Sequence, residues 1–191
     1  MMLILSRRLV PTLLAVAAIL LLAPGHGRAQ LMTFPEWYTL ANAAANNKPE
    51  EVAFILHRGD NPNFIDSLGR TPLGYAAANG NTAILKLLLD AGARADLRDT
   101  FGSMPLHWAA RTGRIEAVRM LLKAKAPVDA ADKQGITPLM IAADTNLGDI
   151  VRALLEAGAD PKKQDFTGRD AMGWAVGRTK SLRALHAPGS G

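Results

Sequence analysis

The sequence contains no cysteine, which excludes a disulfide framework, a thiol nucleophile and any thiolate metal site. Serines are few and fall in turns or near the termini, and no GxSxG, HExxH or glycine-rich phosphate loop occurs. Nothing in these absences leaves room for a familiar catalytic constellation, so the chain reads as a protein that is not an enzyme and needs no cofactor.

A large excess of one charge is missing too. The formal net charge of the 191 residues is +5, but Arg7, Arg8 and Arg28 lie in an N-terminal segment that contains no acid. Without that segment 19 basic residues face 17 acidic ones, too even a balance for the basic stripe of a nucleic-acid-binding surface. The content is globular, at 49% apolar and 20% charged residues.

Long apolar runs are confined to residues 9–23. This 15-residue stretch follows Arg7 and Arg8 and precedes Gly27-Arg28-Ala29, the pattern of a secretory signal peptide cleaved after Ala29. It is shorter than the about 20 residues of a membrane-spanning helix, and no cysteine follows it to carry a lipid anchor. The expected organisation is a signal peptide at 1–29, a lead at 30–36, a folded domain at 37–186 and a flexible tail at 187–191. The expected compartment is the periplasm, or outside the cell, with membrane attachment only through an uncleaved signal.

What is present is a period. Asp66–Gly80 reads DSLGRTPLGYAAANG, Asp99–Gly113 reads DTFGSMPLHWAARTG and Asp132–Asn146 reads DKQGITPLMIAADTN, each 33 residues after the last, and the next step lands on Asp165. Within a unit, glycine supports a turn, Thr71 or Thr137 can cap a helix that proline begins, and paired alanines keep one helix face slim. A second helix in each unit carries an aliphatic stripe, as Ile84, Leu85, Leu88 and Leu89 do. Before the first full unit, a helix from Pro35 to Asn46 through Trp37 and Leu40 and another from Pro49 to Gly59 form a degenerate unit at 37–65. Units at 66–98, 99–131 and 132–164 follow. The last, 165–186, is thin in leucine and reads as a polar C-terminal cap.

Two departures from the repeat carry structural expectations. Met104 stands where Thr71 and Thr137 cap, and Lys125 stands where Gly59, Gly92 and Gly158 close the second helix, so lysine must take a left-handed conformation there.

The succession of Asp, turn Gly, Thr-Pro-Leu-His, Ala-Ala, Gly, Val, Leu-Leu and Gly-Ala across Asp66–Lys163 resembles the ankyrin repeat. The resemblance implies an all-α solenoid of helix-turn-helix units with β-hairpin-type loops: three full repeats between degenerate N- and C-terminal capping repeats. It implies a protein-binding module, expected to be monomeric; the leader pattern adds export from a bacterium, the charge balance speaks against a nucleic-acid partner, and the absence of Cys/His ligand spacing against a metal. His107, after Pro-Leu, is expected to bond backbone across neighbouring units, and the aspartates at 66, 99, 132 and 165 to bond backbone in their own turns.

The binding surface then falls on residues that do not hold the units together. At the loop tips these are Leu68, Arg70, Phe101, Ser103, Ile136, Phe166 and Arg169, accompanied by Thr100, Lys133 and Gln134. A second column, Tyr75, Trp108, Ile141 and Trp174, is formed by the residue just before the Ala-Ala step of each inner helix and reads either as binding surface or as packing between helices. Asn79, Arg111, Thr112, Asp144 and Arg178 lie at the helix ends. Three roles fit such a surface: accessory factor of an exported oxidative-stress enzyme, immunity protein or inhibitor against a periplasm-acting toxin, or membrane-anchored structural envelope protein. The resemblance alone implies the first.

Overall fold

A computed structural model describes residues 39–186. The expected signal peptide, lead segment and tail, together with Pro35 and Trp37, lie outside these residues. Among the described residues there are ten helices and no strand, taken in pairs: α1 Leu40–Ala45 and α2 Pro49–His57, α3 Pro72–Asn79 and α4 Thr82–Asp90, α5 Pro105–Arg111 and α6 Ile115–Lys123, α7 Pro138–Asp144 and α8 Gly148–Glu156, α9 Ala171–Trp174 and α10 Thr179–Leu185. This is the repeat solenoid that the 33-residue period predicts.

The first helix is shorter than its sequence suggests. Thr39 is extended, with φ −99° and ψ 156°, and its hydroxyl accepts from the Asn42 amide at 3.1 Å, so α1 starts at Leu40. Thr71 caps α3 in the same manner, accepting from the Gly74 amide at 3.0 Å. Met104 offers no such acceptor. There the reciprocal bond survives instead: the Met104 amide donates to Nδ1 of His107 at 3.2 Å.

Stacking hides what a single unit would expose. Leu73, Leu106 and Leu139 of the odd-numbered helices, with Ile84, Leu85, Leu88, Val118, Leu121, Val151 and Leu154 of the even-numbered ones, are fully buried in one continuous core. Each such aliphatic side chain contributes on the order of 1.5 to 3 kcal/mol. Ala76–Ala77, Ala109–Ala110 and Ala142–Ala143 are equally buried, and their small size lets α1, α3, α5, α7 and α9 approach one another more closely than α2, α4, α6 and α8 do. Up to α8 the odd-numbered row is therefore the more closely packed side of the stack, whereas in the last unit α10 packs just as closely on α8.

The turns obey the repeat through backbone geometry. Lys125 takes φ +59° as expected, and Asn47 and Asn146 take φ +60° and +59° at the ends of inner helices where Gly80 and Gly113 serve elsewhere. Asn146 gains a second task, because its side-chain oxygen accepts from the Lys180 amide at 2.9 Å at the start of α10.

The terminal unit exposes Arg178, Thr179, Lys180 and Arg183, as a polar cap should, together with two apolar side chains. Val176 is 76% exposed and Met172 36%, at positions equivalent to the buried Ala143 and Leu139, because no described unit follows to cover them.

Candidate functional site

The loop edge is built from four aspartates. One oxygen of each carboxylate accepts two amides of its own turn: Leu68 and Arg70 for Asp66, Phe101 and Ser103 for Asp99, Gln134 and Ile136 for Asp132, Thr167 and Arg169 for Asp165. Successive loops are then tied in register, as the Thr100, Lys133 and Phe166 amides donate to the carbonyls of Leu68, Phe101 and Gln134 at 3.3, 3.1 and 3.2 Å. A turn glycine sits under each tie. A methyl group on Gly69, Gly102 or Gly135 would lie 2.9 Å from the next loop's amide nitrogen.

The second carboxylate oxygen reaches the aromatic column. Tyr75 donates to Asp66 at 2.5 Å, Trp108 Nε1 to Asp99 at 2.9 Å and Trp174 Nε1 to Asp165 at 3.0 Å. Arginines complete the arrangement. The Arg70 guanidinium lies 5.5 Å from the Tyr75 ring centroid and 4.3 Å from that of Trp108, in the next unit; Arg111 lies 5.6 Å from Trp108 and Arg169 4.1 Å from Trp174. Such contacts contribute about 0.5–1 kcal/mol each where exposed and more where desolvated. The polar ends of Tyr75, Trp108 and Trp174 thus belong to the scaffold, while all three rings remain half-buried.

The electrostatics follow from this wiring. Burial alone would raise the Asp66 carboxyl, but the Tyr75 hydroxyl and two turn amides outweigh it and hold it below the usual range. The Thr167 hydroxyl, bonded at 2.6 Å, is the main cause that brings Asp165 down to about 2. His107 is fully buried, and burial depresses it to about 4. Since Nδ1 accepts from Met104, Nε2 carries the proton and donates to the Ile136 carbonyl of the following unit at 3.2 Å. The expected bond across units is present.

Two expected contact residues are withdrawn. Ser103 is 5% exposed because its amide is folded into the Asp99 turn, and Ile141 is 6% exposed because, lacking a polar tip, it sinks into the hydrophobic core. Ile136 is half-buried against the core. Asn79 bridges units, donating to the Ala44 and Ala45 carbonyls at 3.2 and 3.0 Å, and Asp144 pairs with Arg178 at 3.4 Å. Thr112 donates its hydroxyl to the Trp108 carbonyl at 2.8 Å.

The side chains left outward are Leu68, Phe101 and Phe166, at 49%, 58% and 81% exposure, with Arg111 and Arg169 beside the rings. Phe166 does not share Phe101's position in the repeat. It occupies the amide-donor position of Thr100 and Lys133, with its ring against Gly135. Phe64 and Ile65, 64% and 49% exposed, extend the apolar row at the first loop and were not anticipated. Their signal was legible: they replace Leu97 and Arg98, Ala130 and Ala131, Lys163 and Gln164 of the later units with two large apolar residues at a loop.

Comparison with known proteins agrees with this construction. A search of curated proteins returns no match. The family model for ankyrin repeats (3 copies) matches residues 40–132 and again 75–165, more than half of the chain. Ankyrin repeats generally mediate protein–protein interaction and are typically not catalytic. The chain belongs to the ankyrin-repeat family.

Proposed function

We propose that the protein is exported and binds a partner protein through the loop tips Leu68, Phe101 and Phe166, with the arginine-flanked rings of Tyr75, Trp108 and Trp174 forming the adjoining wall. One observation carries this reading: large apolar side chains stand outward from loops that are themselves fixed by carboxylate–amide and inter-loop hydrogen bonds. A hydrophobic tip held rigidly gains little for folding, whereas on binding it is buried with little ordering cost.

Export rests on the charge and length pattern of residues 1–29. Recovery of a mature chain starting at Gln30 from the soluble periplasmic fraction supports it, and a chain retaining Met1 in the membrane fraction contradicts it. Partner binding is tested by placing a photo-crosslinking residue at position 101 or 166 and, as a control, at the remote Lys86. A partner joined at 101 and 166 but not at 86 supports the assignment; equal labelling at all three removes it. Support of an exported enzyme and neutralisation of a toxin both use this surface, and the identity of the crosslinked partner separates them.

A further inference from the structure

At the end of the helices away from the loop tips, the connections between inner and outer helices border a cavity of about 480 Å³. Its floor is apolar: Ile150 and Ala184 are buried, and Ile115 and Leu147 are half-buried. Its position follows from the shortened last unit. α9 has only four residues, so α10 starts 31 residues after α8 instead of 33, and its first turn crosses Gly148, where a methyl group would lie 3.0 Å from the Lys180 carbonyl oxygen.

The rim is cationic. Lys180 and Arg183 have no ion pair and no side-chain hydrogen bond among the described residues, and Arg152 meets the lone carboxylate, Asp149, only at 3.8 Å with both groups largely exposed. A floor of apolar side chains under a rim with three cations and one acid selects a ligand that is apolar and anionic together. A bilayer surface cannot reach a recessed floor, and an inorganic anion leaves that floor wet.

We propose that this groove is a second docking site, for an acidic segment of a partner polypeptide whose apolar side chain rests on Leu147 and Ile115 while flanking carboxylates meet Lys180 and Arg183. The site is independent of the loop tips.

The test uses the full mature chain and two short labelled peptides, one of glutamate and leucine and the other with lysine replacing every glutamate, followed by fluorescence anisotropy. The acidic peptide binds saturably and the basic one does not. The double variant K180E/R183E weakens the acidic peptide by about tenfold or more and accepts the basic one, with unchanged helical circular dichroism because both side chains are exposed. The control K86E/K162E, which reverses two exposed lysines elsewhere, leaves binding intact, as do the loop-tip changes F101A/F166A. Equal binding of both peptides, equal loss in the K86E/K162E control, or full displacement by octanoate at the peptide's own concentration overturns the proposal. So does binding to phosphatidylglycerol vesicles without binding to the acidic peptide.

Discussion

At the scale of the residue, His107 shows how one side chain serves two units. Its folded-state pKa of about 4 lies below the ordinary 6.5, so between those values the unfolded chain takes up a proton that the folded chain refuses. The corresponding stability is fully present above pH 6.5 and drains away as pH falls toward 4, by roughly 3 kcal/mol at most. Urea unfolding followed across that window shows the loss in the wild type, and a His107→Asn variant is less stable near neutrality but lacks this share of the slope. Asp165 acts lower, its contribution fading only between 3.8 and about 2. Trp108 is the second instructive residue. As an aromatic in a repeated column it reads equally as contact surface or as packing, and no pattern in the sequence discloses that its indole N–H would meet a buried carboxylate nine residues earlier. Trp108→Phe is expected to cost about 1.5–3 kcal/mol in urea unfolding, as the loss of a hydrogen bond to a charged acceptor does. A change at Trp108 therefore disturbs the fold and cannot by itself report on binding.

At the scale of the element, the loops are rigid through contacts between units as well as within them. Gly102 and Gly168 both take positive φ, at +79° and +81°, but a methyl group on Gly102 would lie 2.9 Å from the Lys133 amide whereas Gly168 faces open space. Alanine at either position carries the backbone strain of about 1–2 kcal/mol. Gly102→Ala costs more than Gly168→Ala, and the difference, read from chemical unfolding, isolates the loop-to-loop contact. Conversely, Lys125→Gly relieves a left-handed lysine at φ +59° and stabilises by roughly 1 kcal/mol.

At the scale of the whole molecule, the period made the architecture legible. Three units in register announced the helix pairs, the slim alanine faces and the turns, because each depends on local spacing that recurs. What spacing could not disclose lay at the ends and between units. α1 begins at Leu40 because Thr39 is extended and caps it, although Pro35 offers an earlier start by pattern. Ser103 and Ile141 sit at positions equivalent to the half-buried Arg70 and exposed Arg169, or to half-exposed rings, yet their small or apolar side chains let them sink. The cavity beside Lys180 arises from a two-residue shortening whose effect on the packing of α8 and α10 appears only in three dimensions.

The central claim is that Leu68, Phe101 and Phe166 bind a protein and do not hold the fold. Its most direct measurement compares the affinity of the crosslinked partner, once purified, for the wild-type chain and for a Leu68→Ser, Phe101→Ser, Phe166→Ser variant, with urea unfolding of both chains alongside. The predicted result is affinity weakened by about a hundredfold or more with an unfolding midpoint that does not move. Undiminished affinity, or a variant that loses its partner only because it has unfolded, would contradict the account.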